Sequence, residues 1–247
     1  MTAEDFLLGL LIFAASILYS SVGHAGASGY LAAMALFGLA PEAMRPTALG
    51  LNIIVASIAV YRYSRAGQND LKLLLPFVAA SIPAAFIGGS IDIPPAYYRP
   101  LVGIVLIFSA AQMARTARQA AAVDATAHRP PLPASIAAGG ALGLLAGLTG
   151  TGGGIFLSPL LLFMRWAPTR HTSGIAATFI LLNSVSGLAG TSFSTAVLPA
   201  ALPIWGVAVL AGGLIGTQLG TRMLPVPGIR YALAGVLVVA GAKMIFT

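Results

Sequence analysis

The feature that most constrains the fold is a glycine-rich break in an otherwise apolar stretch, residues 147–159, which read GLTGTGGGIFLSP. This stretch holds five glycines and two threonines. Each glycine costs the interior of a helix about 1 kcal/mol relative to alanine, so a continuous helix should end here. In lipid an unpaired backbone group costs several kcal/mol. Such a break is therefore tolerated only inside the protein or beside a wet cavity.

A weaker version of the same pattern occurs near the start of the chain, where residues 20–30 read SSVGHAGASGY. Paired interruptions at corresponding positions of two halves are the best indication in a sequence of a transporter's binding site. The two stretches therefore predict a solute site where two broken helices meet.

The composition indicates an integral membrane protein with only α-helices. Of the 247 residues, 58% are hydrophobic and 8% charged, whereas soluble domains carry about 25% charged residues. The net charge of +7 comes from basic residues between apolar runs, which is typical of membrane orientation rather than of nucleic-acid binding. Because the chain has no cysteine, we expect no disulfide and no thiolate metal site. We predict no bound metal and no cofactor. The acidic first residues predict a retained first segment instead of a cleaved signal peptide.

Ten apolar segments fall into two halves, which predicts repeat 1 over residues 1–114, a cytoplasmic linker over 115–133 and repeat 2 over 134–247. About 20 helical residues are needed to span the bilayer. The first two segments of each half are shorter, so we interpret each pair as a hairpin that dips into the membrane and turns at the glycines. The segments are 6–22, 27–39, 46–61, 71–91 and 97–113, then 134–148, 155–166, 173–190, 198–219 and 229–246.

The halves align after a shift of 127 residues, without gaps over most of their length. An odd number of crossings per half inserts the second half upside down relative to the first. With both termini outside, all basic residues but Arg45, Arg99 and Lys243 lie on the cytoplasmic side, as the positive-inside rule requires. The shift pairs Gly23 with Gly150, Gly26 with Gly153, Pro41 with Pro168, Ser57 with Ser184, Pro76 with Pro203 and Gly89 with Gly216.

Two inverted hairpins should bring their glycine turns together near the middle of the bilayer, where helices open at Ala27 and Ile155. A helix N-terminus carries about half a positive charge and unpaired N–H groups, so it favours an anion. All six acidic residues lie in loops or at segment ends, which disfavours a sodium or proton pathway built on a carboxylate. The predicted substrate-binding residues are Gly23, His24, Gly26, Ala27, Ser28, Asn52, Thr149, Gly150, Thr151, Gly152, Gly153, Gly154, Thr178 and Asn183.

Several of these residues have a second interpretation. The glycines also suit close packing of helices. His24 titrates near neutral pH and could charge beside an anion, which makes proton coupling a hypothesis; the alternative is a neutral histidine bonded to a backbone carbonyl. Asn52 and Asn183 must find partners in an apolar helix, either on a neighbouring helix or on the solute. We interpret Arg45, Arg99, Arg165 and Arg170 as interfacial anchors.

Two ordered sets of motifs, one in each half of the chain, resemble those of a known protein family. In the second half they are residues 150–154 (GTGGG), 158–159 (SP), 176–178 (AAT) and 183–184 (NS), and in the first half 23–26 (GHAG), Pro41 and 50–52 (GLN). Together they resemble the TauE/SafE sulfite-exporter family over essentially the whole chain. The resemblance implies a secondary transporter, usually an exporter, of sulfur-containing anions such as sulfite or sulfoacetate in a bacterial cytoplasmic membrane. The first turn departs from the family's richer glycine run, which bears on substrate identity.

Other functions stay open at this point. The chain could be a carrier or channel for another small anion. A remote alternative is an intramembrane serine protease, since residues 26–29 read GASG, with His24 or His171 as the candidate base. His24, however, precedes the serine, and His171 opens its segment near the surface. The expected partners are the lipid bilayer and a small anion, with no nucleic acid, and a homodimer is a further hypothesis.

Overall fold

The computed structural model describes residues 3–118, 128–191, 198–221 and 227–246, and every regular element in these ranges is an α-helix. The all-helical prediction is therefore confirmed. Seven helices, α1, α3, α4, α5, α6, α8 and α9, are apolar and long enough to cross a membrane. The helices are α1 Ala3–Ser20, α2 Ala27–Leu36, α3 Pro41–Arg65, α4 Leu71–Ser90, α5 Pro95–Arg118, α6 Leu132–Thr149, α7 Gly154–Phe163, α8 Thr169–Gly190, α9 Leu202–Thr221 and α10 Pro227–Phe246.

The prediction that both arms of each hairpin are short was wrong for the first arm. Helices α1 and α6 have 18 residues each, which is about 27 Å at 1.5 Å per residue. Only α2 and α7, with 10 residues each, are half-length. The predicted segments began too late because Glu4, Asp5 and Pro133 interrupt the apolar pattern at the starts of α1 and α6. Acidic residues and proline are nevertheless well tolerated in the first turn of a helix.

Helices α3 and α8, the third helix of each half, pack side by side in opposite directions. Leu49 lies against Gly187, and one turn further along α3, Asn52 lies beside Ser184, which is one turn earlier on α8. The closely packed pairs α4 with α6 and α1 with α9 are each parallel, because their contacts advance together along both helices. Each of these three pairs joins one half of the chain to the other.

Small residues allow the parallel pairs to approach closely. On α6, Gly139, Gly143 and Gly147 recur every four residues, and a Cβ at any of them would overlap the backbone of α4. Glycines spaced this way lie on one helix face and let backbones meet in a membrane protein. On α9 the corresponding residues are Gly212, Gly216 and Gly220, which lie against α1.

The short helix α2 lies in the interior. Nine of its ten residues are buried, and it packs against α1, α3, α5 and α10. A helix that is apolar on every side is stable only when protein or lipid surrounds it. Helix α7 packs mainly against α8. The two half-length helices therefore lie on either side of the α3–α8 pair.

Candidate functional site

Both predicted helix breaks are present. Helix α1 ends at Ser20 before α2, and α6 ends at Thr149 before α7, which begins at Gly154, one residue earlier than predicted. Five glycines in the two turns have φ between 72° and 110°. This left-handed conformation costs other residues roughly 1–2 kcal/mol, so both turns require glycine. The five are Gly23, Gly26, Gly150, Gly152 and Gly153.

Buried hydroxyl groups satisfy the carbonyls that the breaks release. Tyr63 of α3 donates to the carbonyl of Ser20 over 3.0 Å, and Tyr98 of α5 donates to that of Thr149 over 3.1 Å. The last carbonyls of a helix have no partner within it, and in lipid they cannot turn to water. Sequence reasoning missed both tyrosines. The available signal was that a buried tyrosine hydroxyl normally needs a partner.

The two turns lie toward opposite ends of the α3–α8 pair. Gly23 packs against Ser173 near the start of α8, and Ser173 Oγ donates to the carbonyl of Val22 over 3.1 Å. Gly150 packs against Arg45 near the start of α3. Since α3 and α8 are antiparallel, their starts lie far apart. The first glycines of the turns therefore do not meet, and the contact comes from the residues that follow them.

His24 joins the two turn regions. Its Nε2 lies 3.1 Å from the carbonyl oxygen of Gly154 and 3.1 Å from Ser158 Oγ, on the first turn of α7. A neutral imidazole protonated at Nε2 donates to a carbonyl in this geometry, since a carbonyl oxygen only accepts. The interpretation of His24 as a histidine bonded to a backbone carbonyl agrees with this contact. We call the region around His24 and Gly154 the junction.

Gly152 connects the second turn to α3 and α8. A Cβ on Gly152 would lie 2.8 Å from Asn52 Nδ2 and 2.9 Å from Ser184 Oγ. Asn52 Nδ2 also donates to Ser184 Oγ across the helices, over 3.4 Å. The other amide atom, Asn52 Oδ1, is buried and accepts no hydrogen bond from the described residues. Buried polar atoms are nearly always paired, so this acceptor is available to a solute or to water.

The remaining predicted residues of the second half form hydrogen bonds of their own. Thr149 and Thr151 pair through their hydroxyls at 2.9 Å. Asn183 donates to Phe179 of its own helix, and its buried Oδ1 accepts nothing from the part of the chain that is described. Thr178, by contrast, accepts from Asn69 in the loop after α3, over 2.9 Å.

In the first half, Gly26 precedes α2 and lies against the ring of Tyr30. Ala27 and Ser28 open α2 and are buried. Ser28 Oγ lies 3.4 Å from Ser109 Oγ of α5. The structure thus brings His24, Gly152, Gly154 and Asn52 together, whereas Ser28 contacts α5.

Arg45 is a buried cation beside the second turn, and its interpretation as an interfacial anchor stays a prediction. The residue is only 8% exposed. Its Nη1 donates to the carbonyl of Ile91 over 2.8 Å, and its Nη2 lies 3.7 Å from the carboxylate of Asp92, whose side chain is 83% exposed. Pro46 suggested a segment end there, but α3 begins at Pro41 and carries Arg45 into the interior.

Acidic side chains stay at the helix ends, as predicted. Glu4 and Asp5 lie in the first turn of α1, and Glu42 in that of α3. Asp70 caps α4 by accepting from the backbone N–H of Leu73 over 3.0 Å. Asp124 lies outside the described residues. Within the described ranges, no group of three or more His, Asp or Glu residues could hold a metal ion. The known electrostatic features of the junction are thus a nearby arginine and two helix N-termini.

Known proteins match this chain over nearly its full length. The sequence model of the family described as sulfite exporter TauE/SafE matches residues 8–244. A probable membrane transporter protein of Sinorhizobium fredii is 40% identical over all of both chains. A probable membrane transporter protein of Methanocaldococcus jannaschii is 28% identical over 97% of this chain and 96% of its own. No solved structure matches. With ten helices in its described ranges and a glycine turn in each half, this chain belongs to the TauE/SafE family and is a multi-pass membrane transporter rather than an enzyme.

Proposed function

We propose that the protein carries a small sulfur-containing anion, such as sulfite or sulfoacetate, across the bacterial cytoplasmic membrane, and that it usually exports this anion. The solute binds at the junction, between the N-termini of α2 and α7. The observation that carries the proposal is the contact of His24 with Gly154 and Ser158, through which the two broken segments meet. The description of the family as sulfite exporters supports sulfite or a related anion.

The two halves, residues 1–114 and 134–247 with the linker 115–133 between them, are inverted repeats in this proposal. The antiparallel packing of α3 on α8 supports it, because equivalent helices of inverted repeats run in opposite directions. The parallel pairs α1 with α9 and α4 with α6 support it too, since each combines a first and a fourth helix. Basic residues support termini on the outside, because only three of 13 then lie outside.

The electrostatic arrangement favours an anion. In this proposal the positive ends of the two short-helix dipoles face the solute. Arg45 adds a full positive charge beside the second turn, while its partner Asp92 is exposed and therefore a weak counter-charge. Asn52 Oδ1 accepts from a hydroxyl or a hydrating water of the solute. The proposed binding residues are those predicted at the two turns and on α3 and α8, with Arg45 added.

Transport requires the junction to open alternately to the two sides. The junction residues of the second turn, from Gly150 to Ile155, are buried, so a solute reaches them only when the hairpins separate. Rocking of one half against the other would break the contact of His24 with α7 when the site opens and restore it when the site closes. This is alternating access around a fixed central site. His24 is also the group through which a proton would couple to the solute in this proposal.

The test combines ligand binding with transport. In a thermal-shift screen of the detergent-solubilised protein, a bound anion at 100 times its dissociation constant should add about 2.7 kcal/mol to the free energy of unfolding. Sulfite, sulfoacetate, thiosulfate, sulfate and the zwitterion taurine form the panel. In proteoliposomes, the anion that stabilises most should show saturable counterflow. A conductance that does not saturate would instead indicate a channel, and the absence of stabilisation by any member of this panel would contradict the substrate class.

A further inference from the structure

A basic cleft of about 460 Å³ opens on the outer surface of the bundle, at the ends of α3 and α9. Helix α3 ends at Arg65 and α9 at Thr221. Both helices are apolar spans, so the cleft lies where they leave the hydrocarbon layer. Its lining consists of Tyr61, Arg62, Arg65, Ala66, Gln218 and Thr221.

Both guanidinium groups of the cleft are held in place. Arg62 Nη1 donates to the carbonyl of Leu214 over 2.6 Å, so it bridges α3 and α9. Arg65 Nη1 donates to the hydroxyl of Tyr61 over 2.8 Å, and its guanidinium carbon lies 5.6 Å from the centre of the Tyr61 ring. Within the described residues, neither arginine forms an ion pair with a carboxylate. Preordered donors lose less entropy when they bind a ligand.

An exposed apolar strip runs along α9 from the cleft toward the middle of that helix. Leu210 and Leu214 precede Gln218 at intervals of four residues, so all three share one helix face. The two leucines are 47% and 40% exposed. The cleft at the helix ends is basic and polar, and the strip next to it is exposed and apolar. This arrangement matches the charged head and the apolar tail of a phospholipid.

We propose that this cleft binds the phosphate group of an anionic phospholipid, with Arg62 and Arg65 as its ligands and one acyl chain lying along Leu214 and Leu210. Arginine is suited to this role because its planar fork donates two parallel hydrogen bonds to phosphate oxygens. Basic pockets between membrane helices are a recurrent way of binding anionic headgroups. Gln218 and Thr221 add neutral hydrogen-bonding groups to the headgroup site.

Two other occupants fit less well. The transported anion binds at the junction, which lies on the other side of α3, where Asn52 is buried, whereas Tyr61 is 61% exposed. A second copy of the chain, joined through this cleft by a twofold axis, would place the same two arginines opposite each other. Like charges facing across an interface cost several kcal/mol. The membrane supplies a negatively charged partner at this depth.

The experiment measures lipid binding to the purified protein by native mass spectrometry and by thermal shift, with phosphatidylglycerol, phosphatidylcholine and inorganic phosphate as separate probes. We expect phosphatidylglycerol to bind most tightly. The variant Arg62→Gln/Arg65→Gln should bind it about tenfold more weakly, a loss of about 1.4 kcal/mol. The control Arg115→Gln/Arg129→Gln removes the same charge from two exposed arginines and should leave the dissociation constant within about twofold.

Three results would overturn the proposal. The first is equal binding of phosphatidylcholine and phosphatidylglycerol, or equal weakening in both double variants. The second is stabilisation by inorganic phosphate that matches the lipid and disappears in the cleft variant, which would assign a soluble anion. The third is a change of oligomeric state in the cleft variant, which would assign a second copy. If Arg62→Gln prevents folding because the contact with Leu214 is lost, Arg65→Gln alone must still weaken phosphatidylglycerol binding about threefold.

Discussion

His24 Nε2 and the carbonyl oxygen of Gly154 are 3.1 Å apart, although 130 residues separate them in the chain. The contact joins the residues that precede α2 to the first residue of α7. Ser158 Oγ lies at the same distance from the same nitrogen. One side chain therefore connects the two helix breaks, and its loss should affect their relative movement more than the stability of either hairpin.

The first prediction concerns this contact. His24→Ala removes a hydrogen bond worth about 1 kcal/mol, so anion uptake into proteoliposomes should fall about fivefold. The loss should be larger at pH 6 than at pH 8, because the imidazolium form would also attract the anion. Ser158→Ala keeps the bond between His24 and the carbonyl of Gly154 and should reduce uptake less. Uptake that is unchanged at both pH values would rule out a role for His24 in transport.

The second prediction concerns the hydroxyl that caps α6. Tyr98→Phe leaves the buried carbonyl of Thr149 without its donor, which should lower the free energy of unfolding by about 1–3 kcal/mol. Tyr97→Phe is the matched control, since Tyr97 is the preceding residue and is 73% exposed. Thermal unfolding of both variants in detergent makes the comparison. Equal stability of the two would mean that the carbonyl of Thr149 finds another partner.

The third prediction separates packing from helix propensity on α6. At Gly143 a new Cβ would overlap the backbone of Ser81 on α4, whereas at Gly140 the nearest atom would be 3.9 Å away. Gly143→Ala should therefore destabilise the protein by about 1–3 kcal/mol, as overpacking does. Gly140→Ala should be neutral or gain up to about 1 kcal/mol from better helix propensity. The measurement is the thermal midpoint, and a Gly143→Ala variant as stable as the wild type would argue against the close α4–α6 contact.

The fourth prediction tests whether the second turn needs space as well as backbone freedom. Gly152→Ala adds a Cβ 2.8 Å from Asn52 Nδ2, so it should abolish saturable uptake. Gly38→Ala is the control, because Gly38 also has a positive φ, of 72°, but no atom within 4 Å of the added Cβ. That variant should lose only about 1–2 kcal/mol of stability and keep its transport activity. Normal uptake by Gly152→Ala would remove Gly152 from the solute site.

The fifth prediction distinguishes the buried Arg45 from its exposed partner. Arg45→Gln removes the positive charge beside Gly150 and should weaken anion binding about tenfold or more, since a hydrogen bond to a charged group contributes about 1.5–3 kcal/mol. Asp92→Asn should change binding less than twofold, because an exposed ion pair contributes little. Ligand titrations by thermal shift compare the two. If both variants bind the anion as the wild type does, Arg45 serves only to bind the carbonyl of Ile91.

Membrane insertion, the helical class and both helix breaks could be predicted from local composition. A run of apolar residues without charge has few stable states other than a helix in lipid, and clustered glycines end a helix wherever they occur. The turns at residues 23–26 and 150–153 were located for this reason. The starts of α1 and α6 were predicted two to three residues too late, because the apolar pattern does not show that Glu4, Asp5 and Pro133 are compatible with a first helical turn.

The partners of the site could not be predicted, because they depend on which helices become neighbours. Tyr63 and Tyr98 cap helices that are 43 and 51 residues away from them, and nothing local marks either tyrosine as a cap. Thr178 and Asn183 lie five residues apart on α8, yet Thr178 contacts Asn69 and Asn183 bonds its own helix. Helix rotation decides which face meets which neighbour, and a nearly uniform apolar sequence carries little information about rotation.

The sequence by itself determined that this chain is a helical membrane protein with a glycine break in each half and acidic residues confined to helix ends. Those properties depend on the free energy of each residue in lipid and in a helix, which neighbours hardly change. Only the tertiary structure decided that His24 contacts Gly154, that Arg45 is buried, and that Asn52 meets Gly152. These contacts join residues more than 45 positions apart, and they exist because of which helices become neighbours in the folded chain.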